Sequence, residues 1–335
     1  MSPGVLVTGA HGLLGSWLVG ALLERGERVV VLSRGPAPAS ALALEGFQER
    51  CTVVGGDVLD GDVVDRVVGE QAVGTVFHLA AQPIAGTAFV SPAATFDANV
   101  RGTWTVLEAC RAHAVGQVVV AGSQTVYGPG GDQPQREEHC LRPRSPYDAS
   151  KAAADLVARS YAHSYGMRVA VTRFANTYGE GDRQASRLVT GAVAAALAGR
   201  DPVVRSDGSP VRDFLYVHDA VSAYLAIADR LREPDGGGAS GEAFNAGGPQ
   251  PRSVLEVVQE VCRAAGNGVS PDVRGAPVGS KEVDRQWVDS SKLRDLTGWR
   301  PQVGIEDGIE RTVSWSRARP EARGEAAAAP SRGLG

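Results

Sequence analysis

The chain has 335 residues, 43% of them hydrophobic and 21% charged, enough for one large or two modest domains around a shared core. A formal net charge of -4 and a pI near 5.9 offer no electrostatic case for binding nucleic acid or a membrane surface. Four scattered cysteines (Cys51, Cys110, Cys140, Cys262) predict reduced thiols in a cytoplasmic protein, with neither a metal site nor a disulfide framework.

Val5-Leu6-Val7-Thr8 reads as a short buried parallel strand, entered too early for a signal peptide. No apolar run in the sequence reaches the length of a membrane span. Gly9-Ala10-His11-Gly12-Leu13-Leu14-Gly15 follows, and residues 17–24 are predicted as an amphipathic helix. Strand, glycine turn and helix are the context of a dinucleotide site. The first glycine makes the tight turn, the next admits the pyrophosphate, and the last lets helix and strand pack closely. The spacing here is G-x-x-G-x-x-G, with His11, Leu13 and Leu14 as further cofactor candidates in the same turn. The pyrophosphate would sit at the helix N-terminus, where free N–H groups and the dipole favour an anion.

Residues 28–32 form the second predicted strand. An acidic residue at its end would hold the adenosine ribose diol, but Ser33 and Arg34 stand there. Either the pair receives a 2′-phosphate, favouring NADP over NAD, or Arg34 is a solvated loop charge. Residues 51–54 make the third strand, leading to Gly56-Asp57-Val58. Asp57 either accepts from the adenine amino group, with Val58 beside it, or caps the following helix. The fourth strand, 73–79, ends in His78-Leu79-Ala80-Ala81-Gln82. Small residues at a strand's C-terminal end leave room for a ligand. Leu79, Ala80 and Ala81 are therefore cofactor candidates and Gln82 a substrate candidate, while His78 reads as a packed histidine. Residues 95–112 are predicted as one long helix with an apolar stripe of Val100, Trp104, Leu107 and Ala109. Asn99, on its other side, is placed to tie the helix to the strand edges and joins the cofactor candidates.

The fifth strand, 117–121, runs into Gly122-Ser123-Gln124-Thr125-Val126-Tyr127-Gly128. A hydroxyl here, from Ser123 or Thr125, is either a turn former or a hydrogen-bond partner for a reacting oxygen. Downstream lies Ser145-Pro146-Tyr147-Asp148-Ala149-Ser150-Lys151, with 149–162 predicted helical and Pro146 suited to a first turn. Tyr147 and Lys151, four residues apart, share a helix face. A phenol holds its proton to about pH 10, and an adjacent ammonium brings that down towards the range of a general base. Such a pair can also be a packed aromatic beside a snorkelling lysine. With Ser123 at the edge of the same sheet, a catalytic Ser123, Tyr147 and Lys151 is the better reading, with Thr125 beside them.

Residues 168–173 are the sixth strand. Beyond Asn176, Tyr178 and Gly179 the alternation of strand and helix loses its pace. Helices are predicted at 187–198, 220–231 (with Asp219 as N-cap) and 253–265, strands at 203–205 and 213–218, and a glycine-rich loop at 233–241. Residues 316–335 lack an apolar period and are expected to be disordered. No internal repeat is found.

By this point the residues resemble a family. They are Thr8-Gly9-x-x-Gly12-x-x-Gly15, Gly56-Asp57, His78-Leu79-Ala80-Ala81, Ser123-x-x-Val126-Tyr127-Gly128, Tyr147-x-x-x-Lys151 and Arg173-x-x-Asn176-x-Tyr178-Gly179. Arg212-Asp213-Phe214-x-Tyr216-Val217-x-Asp219 and Gly298-Trp299-x-Pro301 follow. Together, over roughly residues 4–315, they resemble the extended short-chain dehydrogenase/reductases, in the nucleotide-sugar epimerase/dehydratase branch. The closest look is to the CDP-glucose 4,6-dehydratase-like group, through Gln82, Gly102-Thr103-Trp104, Arg205-Ser206-Asp207-Gly208 and Glu282-Val283-Asp284-Arg285-Gln286.

The resemblance implies an α/β fold: a Rossmann doubly wound parallel sheet, residues 1–175, with a smaller C-terminal α/β substrate domain, 176–315, some segments of which return to the first. It implies bound NAD, with NADP open through Ser33 and Arg34, and a nucleoside diphosphate sugar as substrate. Tyr147 would take the proton of the sugar 4-hydroxyl while the nicotinamide oxidises C4. Ser123 would share the hydrogen bond, and Lys151 would lower the Tyr147 pKa and hold the nicotinamide ribose. Asn176 and Arg212 match positions that contact the diphosphate, with Arg187 and Arg285 as weaker candidates for the same end. Homodimerisation is implied through the helices starting near Thr95 and Ala149.

One departure bears on the reaction. The 4,6-dehydratases carry an acid/base pair just after the serine or threonine, where this chain has Gln124 and Thr125. Neither is a proton acid or base near neutrality. The leading expectation is therefore a nucleotide-sugar 4-epimerase, with Gln124 and Thr125 as substrate contacts. The alternatives are a 4,6-dehydratase, an NADP-dependent 4-ketosugar reductase, and a dinucleotide-sensing regulator that has lost its chemistry.

Overall fold

The computed structural model describes residues 3–275 and 284–322. Apolar runs rich in valine give six strands: β1 (Gly4–Thr8), β2 (Val29–Ser33), β3 (Thr52–Gly55), β4 (Val73–His78), β5 (Gln117–Ala121) and β6 (Val169–Phe174). β-Branched side chains suit strands covered on both faces, and β1, β2 and β6 are buried along their whole length. Short strands follow: β7 (Asn176–Tyr178), β8 (Val203–Val204), β9 (Val211–Arg212), β10 (Phe214–Tyr216), β11 (Ala243–Ala246), β12 (Arg252–Ser253), β13 (Asp272–Val273) and β14 (Arg285–Gln286).

The main sheet has the order β11-β6-β5-β4-β1-β2-β3. All of its pairings are parallel. This is the doubly wound sheet expected from the sequence. Strand order reverses between β1 and β4, so the crevice beyond their C-terminal ends is the switch point where such sheets take ligands. β11 comes from the C-terminal half and closes the sheet beside β6, which ties the two halves together.

The helices are α1 (Leu13–Glu24), α2 (Ala41–Leu44), α3 (Gly61–Glu70), α4 (Ala85–Val90), α5 (Pro92–Phe96), α6 (Gly102–Ala112), α7 (Pro146–Tyr165), α8 (Leu188–Leu197), α9 (Val217–Arg232), α10 (Val254–Ala265), α11 (Ser291–Thr297) and α12 (Ile305–Ala318). Successive strand residues point to opposite faces. Val5 and Val7 join one core with Leu18 of α1 and Tyr224 of α9, while Leu6 joins the other with Val64 of α3, Leu107 of α6 and Ala158 of α7. A third core, built on α8, α10 and α12, belongs to the C-terminal half.

Several boundaries differ from expectation for identifiable reasons. The predicted helix 95–112 is broken into α5, a π-helical turn at Asp97–Arg101 and α6. The helix predicted from residue 149 starts at Pro146, because Ser145 caps it: Ser145 Oγ accepts from Asp148 N at 3.1 Å and Asp148 Oδ2 from Ser145 N at 3.2 Å. Tyr147 is thereby fixed in the first turn. Asp219 does not cap α9. It lies inside the first turn, and its Oδ2 accepts from Gln302 N and Val303 N at 3.0 and 2.9 Å. The strand predicted at 213–218 is only β10, since α9 begins at Val217. Residues 316–322, expected to be disordered, instead continue α12 and a further turn. Buried Val313 and Ala322, with Trp315 Nε1 donating to Glu45 at 2.7 Å, dock this segment on the dinucleotide half. Glu282 and Val283 of the resemblance, and residues 323–335, lie outside the described residues.

One buried polar network binds α7 to the sheet. Arg173 of β6 grips Asp155 of α7 in a two-pronged pair, at 2.7 and 3.0 Å, with both side chains almost wholly buried. Arg173 also donates to Tyr127 Oη at 3.1 Å, and Tyr127 donates to Asn245 of β11 at 2.8 Å. Truncating one member of a buried pair strands the other charge. Arg173→Met is therefore expected to cost roughly 3–5 kcal/mol, with partial recovery when Asp155→Leu is added. Equilibrium denaturation of both variants measures this.

Candidate active site

The glycine turn after β1 is shaped by close backbone approaches. Gly9 has φ +72°, and a Cβ there would lie 2.7 Å from the Ala80 nitrogen. A Cβ on Gly15 would lie 2.3 Å from the Gly9 carbonyl oxygen, so only hydrogen fits. Gly12 precedes α1 with no side-chain cap, which leaves first-turn amides for an anion. Leu13 is buried below the turn and Leu14 half-buried. Ala80 N donates to Thr8 Oγ1 at 3.1 Å, joining the turn to the end of β4 across the switch point.

His78 is a packed residue, as the sequence suggested. Its ring bridges Thr8 and Thr103 at 2.9 and 3.2 Å, and burial, with help from the Lys151 charge, pushes its pKa down to about 3. Asn99 sits in the π turn. Its Oδ1 accepts from Gln82 N at 2.7 Å, while Nδ2 donates to Gln82 O at 3.1 Å and to Ser150 Oγ at 2.8 Å. It thus ties β4's loop to α7. Gln82, a substrate candidate, has its amide engaged locally: Nε2 donates to Ile84 O and Thr95 Oγ1, and Oε1 accepts from Ile84 N. Asp57 Oδ1 accepts from Leu59 N at 3.0 Å, and the cap of α3 is Asp60, not Asp57. Val58 is buried beneath Gly102 and Ala81 is half-buried at the β4 edge.

The structure brings Ser123, Tyr147 and Arg187 to one place. Ser123 Oγ accepts from Thr125 N at 3.2 Å and lies 3.0 Å from Thr125 Oγ1. Burial raises the Tyr147 pKa; a hydrogen bond with Ser123 and the positive charge of Arg187 pull it down, and Asp148 pushes it up. A positive charge that favours the phenolate thus comes from Arg187, which the helix spacing did not point to. The Lys151 ammonium turns to the sheet and donates to Ala121 O at 2.9 Å, and burial lowers its pKa to about 8.

Gln124 is the anomaly. It is 2% exposed, and neither its amide oxygen nor its nitrogen has a hydrogen-bond partner. Buried amides are rarely left so.

The diphosphate candidates fall beside the C-terminal half. Asn176 Nδ2 donates to Asp213 O at 3.1 Å, and Arg212 stands on β9 next to that residue. Arg212 pairs with Gln286, and Arg285 pairs with Val211, so Arg285 is one step out of register with Arg212 and reaches Asp132 at 3.8 Å. Arg187 precedes α8 and contacts Asp182 at 3.2 Å. The sequence reading missed Asp213. Its carboxylate accepts from Gly248 N and Val288 N, and burial lifts its pKa to about 6. Its position next to Arg212 was the available signal. No group of three or more His, Cys, Asp or Glu side chains able to hold a metal occurs among the described residues. No helix there is long and apolar enough to cross a membrane.

The family model for the NAD dependent epimerase/dehydratase family matches residues 5–247. The chain belongs to that family. Among its relatives in the family, a dTDP-glucose 4,6-dehydratase of Xanthomonas campestris pv. campestris is 33% identical over 92% of each chain. A UDP-glucose 4-epimerase of Mycolicibacterium smegmatis is also 33% identical, over 94% of this chain and 99% of its own. Solved structures give the same two activities. The UDP-glucose 4-epimerase of Thermotoga maritima with UDP-glucose superposes at TM-score 0.85 (26% identity, 94% of this chain, 99% of that one). The dTDP-glucose 4,6-dehydratase of Streptomyces venezuelae with NAD bound superposes at 0.83 (30% identity, 94% and 97%).

As a member of the epimerase/dehydratase family, the chain has residues that fit its dinucleotide: a turn that only glycine can make, uncapped first-turn amides and an inward lysine held at the end of β5. Lys151 also carries a pH signature. Its folded pKa, about 8, lies below its unfolded value, so unfolding takes up a proton between about pH 8 and 10.4. Wild-type stability relative to Lys151→Met is therefore expected to rise across that window, by up to about 3 kcal/mol. Parallel denaturation of the cofactor-free proteins at several pH values reads the difference.

Proposed function

We propose that the chain is a nucleotide-sugar 4-epimerase that oxidises C4 and re-reduces it on the opposite face. The observation that carries this is the pair after Ser123: Gln124, buried with an unpartnered amide, and Thr125, whose hydroxyl faces Ser123. Neither can remove a C5 proton or protonate a departing 6-hydroxyl near neutral pH. A reaction confined to C4 needs no such groups.

In this reading NAD, held by the Gly9–Gly15 turn, the first amides of α1, Asn99's loop and Lys151, supplies reversible oxidation and reduction at C4. The protein's side chains handle the proton and the pose. Tyr147 accepts the proton of the 4-hydroxyl and later returns it. Ser123 holds the same oxygen, and the Arg187 charge favours the phenolate. Lys151, anchored on Ala121 O, keeps a positive charge beneath the site below about pH 8. The unpartnered Gln124 amide offers an NH2 group as donor and a carbonyl oxygen as acceptor to the sugar, and Arg212, Asn176, Arg187 and Arg285 meet the diphosphate. Between its two half-reactions the 4-keto sugar must turn over, which weak contacts around the sugar and firm ones at the diphosphate allow.

A dehydratase is the second reading, favoured by relatives of that name. Incubation of purified enzyme with GDP-, CDP-, UDP- and dTDP-sugars, without added cofactor, separates the two. Epimerisation gives a product of unchanged mass with an altered H4 coupling, whereas dehydration gives a product lighter by one water. Tyr147→Phe is expected to slow the conversion by roughly 10²–10⁴-fold, and unchanged turnover in that variant would sink the mechanism.

We also propose a homodimer. Trp104 of α6 and Leu156 and Tyr165 of α7 are large, apolar and 43–59% exposed on neighbouring helices, as is Phe89 of α4 at 67%. An apolar face of this kind suits an isologous contact. Leu156→Asp is expected to give monomers in sedimentation experiments in which the wild type gives dimers. A monomeric wild type would remove the proposal.

A further inference from the structure

The geometry points to a positioning role for His78. We propose that its Nε2–H tautomer directs a buried chain of hydrogen bonds from the glycine turn to the backbone of Tyr147, so that dinucleotide seat and base are set together. The inference rests on reading the glycine turn as a dinucleotide site and Tyr147 as the base. It is independent of the choice between epimerase and dehydratase.

Thr8 and His78 are partners in register at the ends of β1 and β4, the strands that flank the switch point. Thr8, His78, Asn99, Thr103 and Ser150 are each at most 2% exposed, so the protein itself must satisfy their polar atoms. Their hydrogens can be assigned by counting. Ser150 Oγ has one hydrogen and donates it to Tyr147 O at 2.7 Å, so it accepts from Asn99 Nδ2 at 2.8 Å. Thr103 Oγ1 donates its one hydrogen to Asn99 O at 2.7 Å, so it must accept from His78 Nε2 at 3.2 Å. Thr8 Oγ1 accepts from Ala80 N at 3.1 Å and donates its own hydrogen to His78 Nδ1 at 2.9 Å. A single imidazole proton, on Nε2, completes the chain with every hydrogen used once.

The other forms of the ring break it. With the proton on Nδ1, the Nε2 lone pair would face Thr103 Oγ1, whose hydrogen is already engaged. An imidazolium would aim a second N–H at Thr8 Oγ1 and strand the threonine hydrogen in the core. Burial and the Lys151 charge both disfavour that form. At one end the chain fixes Thr8, whose neighbour Gly9, at φ +72°, brings the turn against Ala80. At the other end it fixes the carbonyl of Tyr147 in the first turn of α7. Midway, Asn99 Oδ1 holds Gln82 N at 2.7 Å. His78 is itself buried, so it acts through these neighbours.

Heteronuclear NMR of the full chain with nitrogen-labelled histidine tests the tautomer, the His78 signals being those missing from His78→Gln. The expected pattern is that of Nε2–H, unchanged between about pH 5 and 8, where an unperturbed imidazole titrates. The Nδ1–H pattern, or an imidazolium within that range, overturns the proposal. Titration with NAD of the chain freed of bound nucleotide, and steady-state kinetics on the nucleotide sugar it converts, read the coupling. A glutamine amide reproduces the donor and acceptor of the ring, whereas leucine fills similar space with neither. His78→Leu is expected to weaken NAD by about tenfold and to lower kcat, with the sugar's KM unchanged. His78→Gln is expected to regain most of both. A ring that only fills space would leave leucine equal to wild type, or glutamine no better than leucine. Either result overturns the proposal, as does a loss confined to KM. The tautomer and the His78→Gln affinity decide the matter even where His78→Leu folds poorly. A wild type that binds no dinucleotide overturns the coupling together with the glycine-turn reading, whereas a dehydrated product defeats only the epimerase reading.

Discussion

Everything at the candidate site depends on how α7 is fastened to the sheet. Two inward charges one turn apart do this. Lys151 reaches the last carbonyl of β5, and Asp155 meets Arg173 of β6 in a buried, two-pronged pair. The same Arg173 holds Tyr127, which ends the turn that begins at Ser123. Ser123 and Tyr147 come from segments 24 residues apart in sequence, yet one guanidinium braces both. Buried ion pairs are seldom a net source of stability. Here the geometry suggests a use in register: a slip of α7 by one residue would move Tyr147 off the Ser123 hydroxyl and strand two buried charges.

The sheet was legible because its cause is local. Runs such as Val29-Val30-Val31-Leu32 and Val118-Val119-Val120 can only be buried strands between helices, and the glycine turn after Val5-Leu6-Val7-Thr8 sets the direction of the rest. Tyr147 and Lys151 were legible for the same reason, as an i, i+4 pair in an alanine-rich helix. What stayed hidden depends on partners far along the chain. Asp219 looks like a helix cap, but its carboxylate is claimed by amides more than 80 residues later. The break in the helix around Asn99 comes from a π turn that places its amide on Gln82 and Ser150, and no periodicity marks it. Ala322 looks like part of a tail until a buried seat is found for it, behind a helix whose Trp315 is held by Glu45.

The direction of Lys151 is the most instructive of these differences. Helix spacing puts the ammonium on the same face as the phenol, but spacing does not say which oxygen it will choose. The backbone carbonyl at the end of β5 wins. Electrostatic help to Tyr147 also comes from Arg187, at the start of a helix in the other half of the molecule. A substrate that draws the two halves together would therefore act on the base as well as on its own pose.

The central claim is that the chemistry stops at C4, because Gln124 and Thr125 cannot exchange protons with C5. Conversion of the nucleotide sugar in D₂O, followed by mass spectrometry and proton NMR of the product, tests this most directly. The expected product carries no deuterium on carbon, since the hydrogen at C4 leaves and returns without meeting solvent. Deuterium at C5 or C6 would show that a proton acid or base works beside Ser123 after all, and would contradict the account.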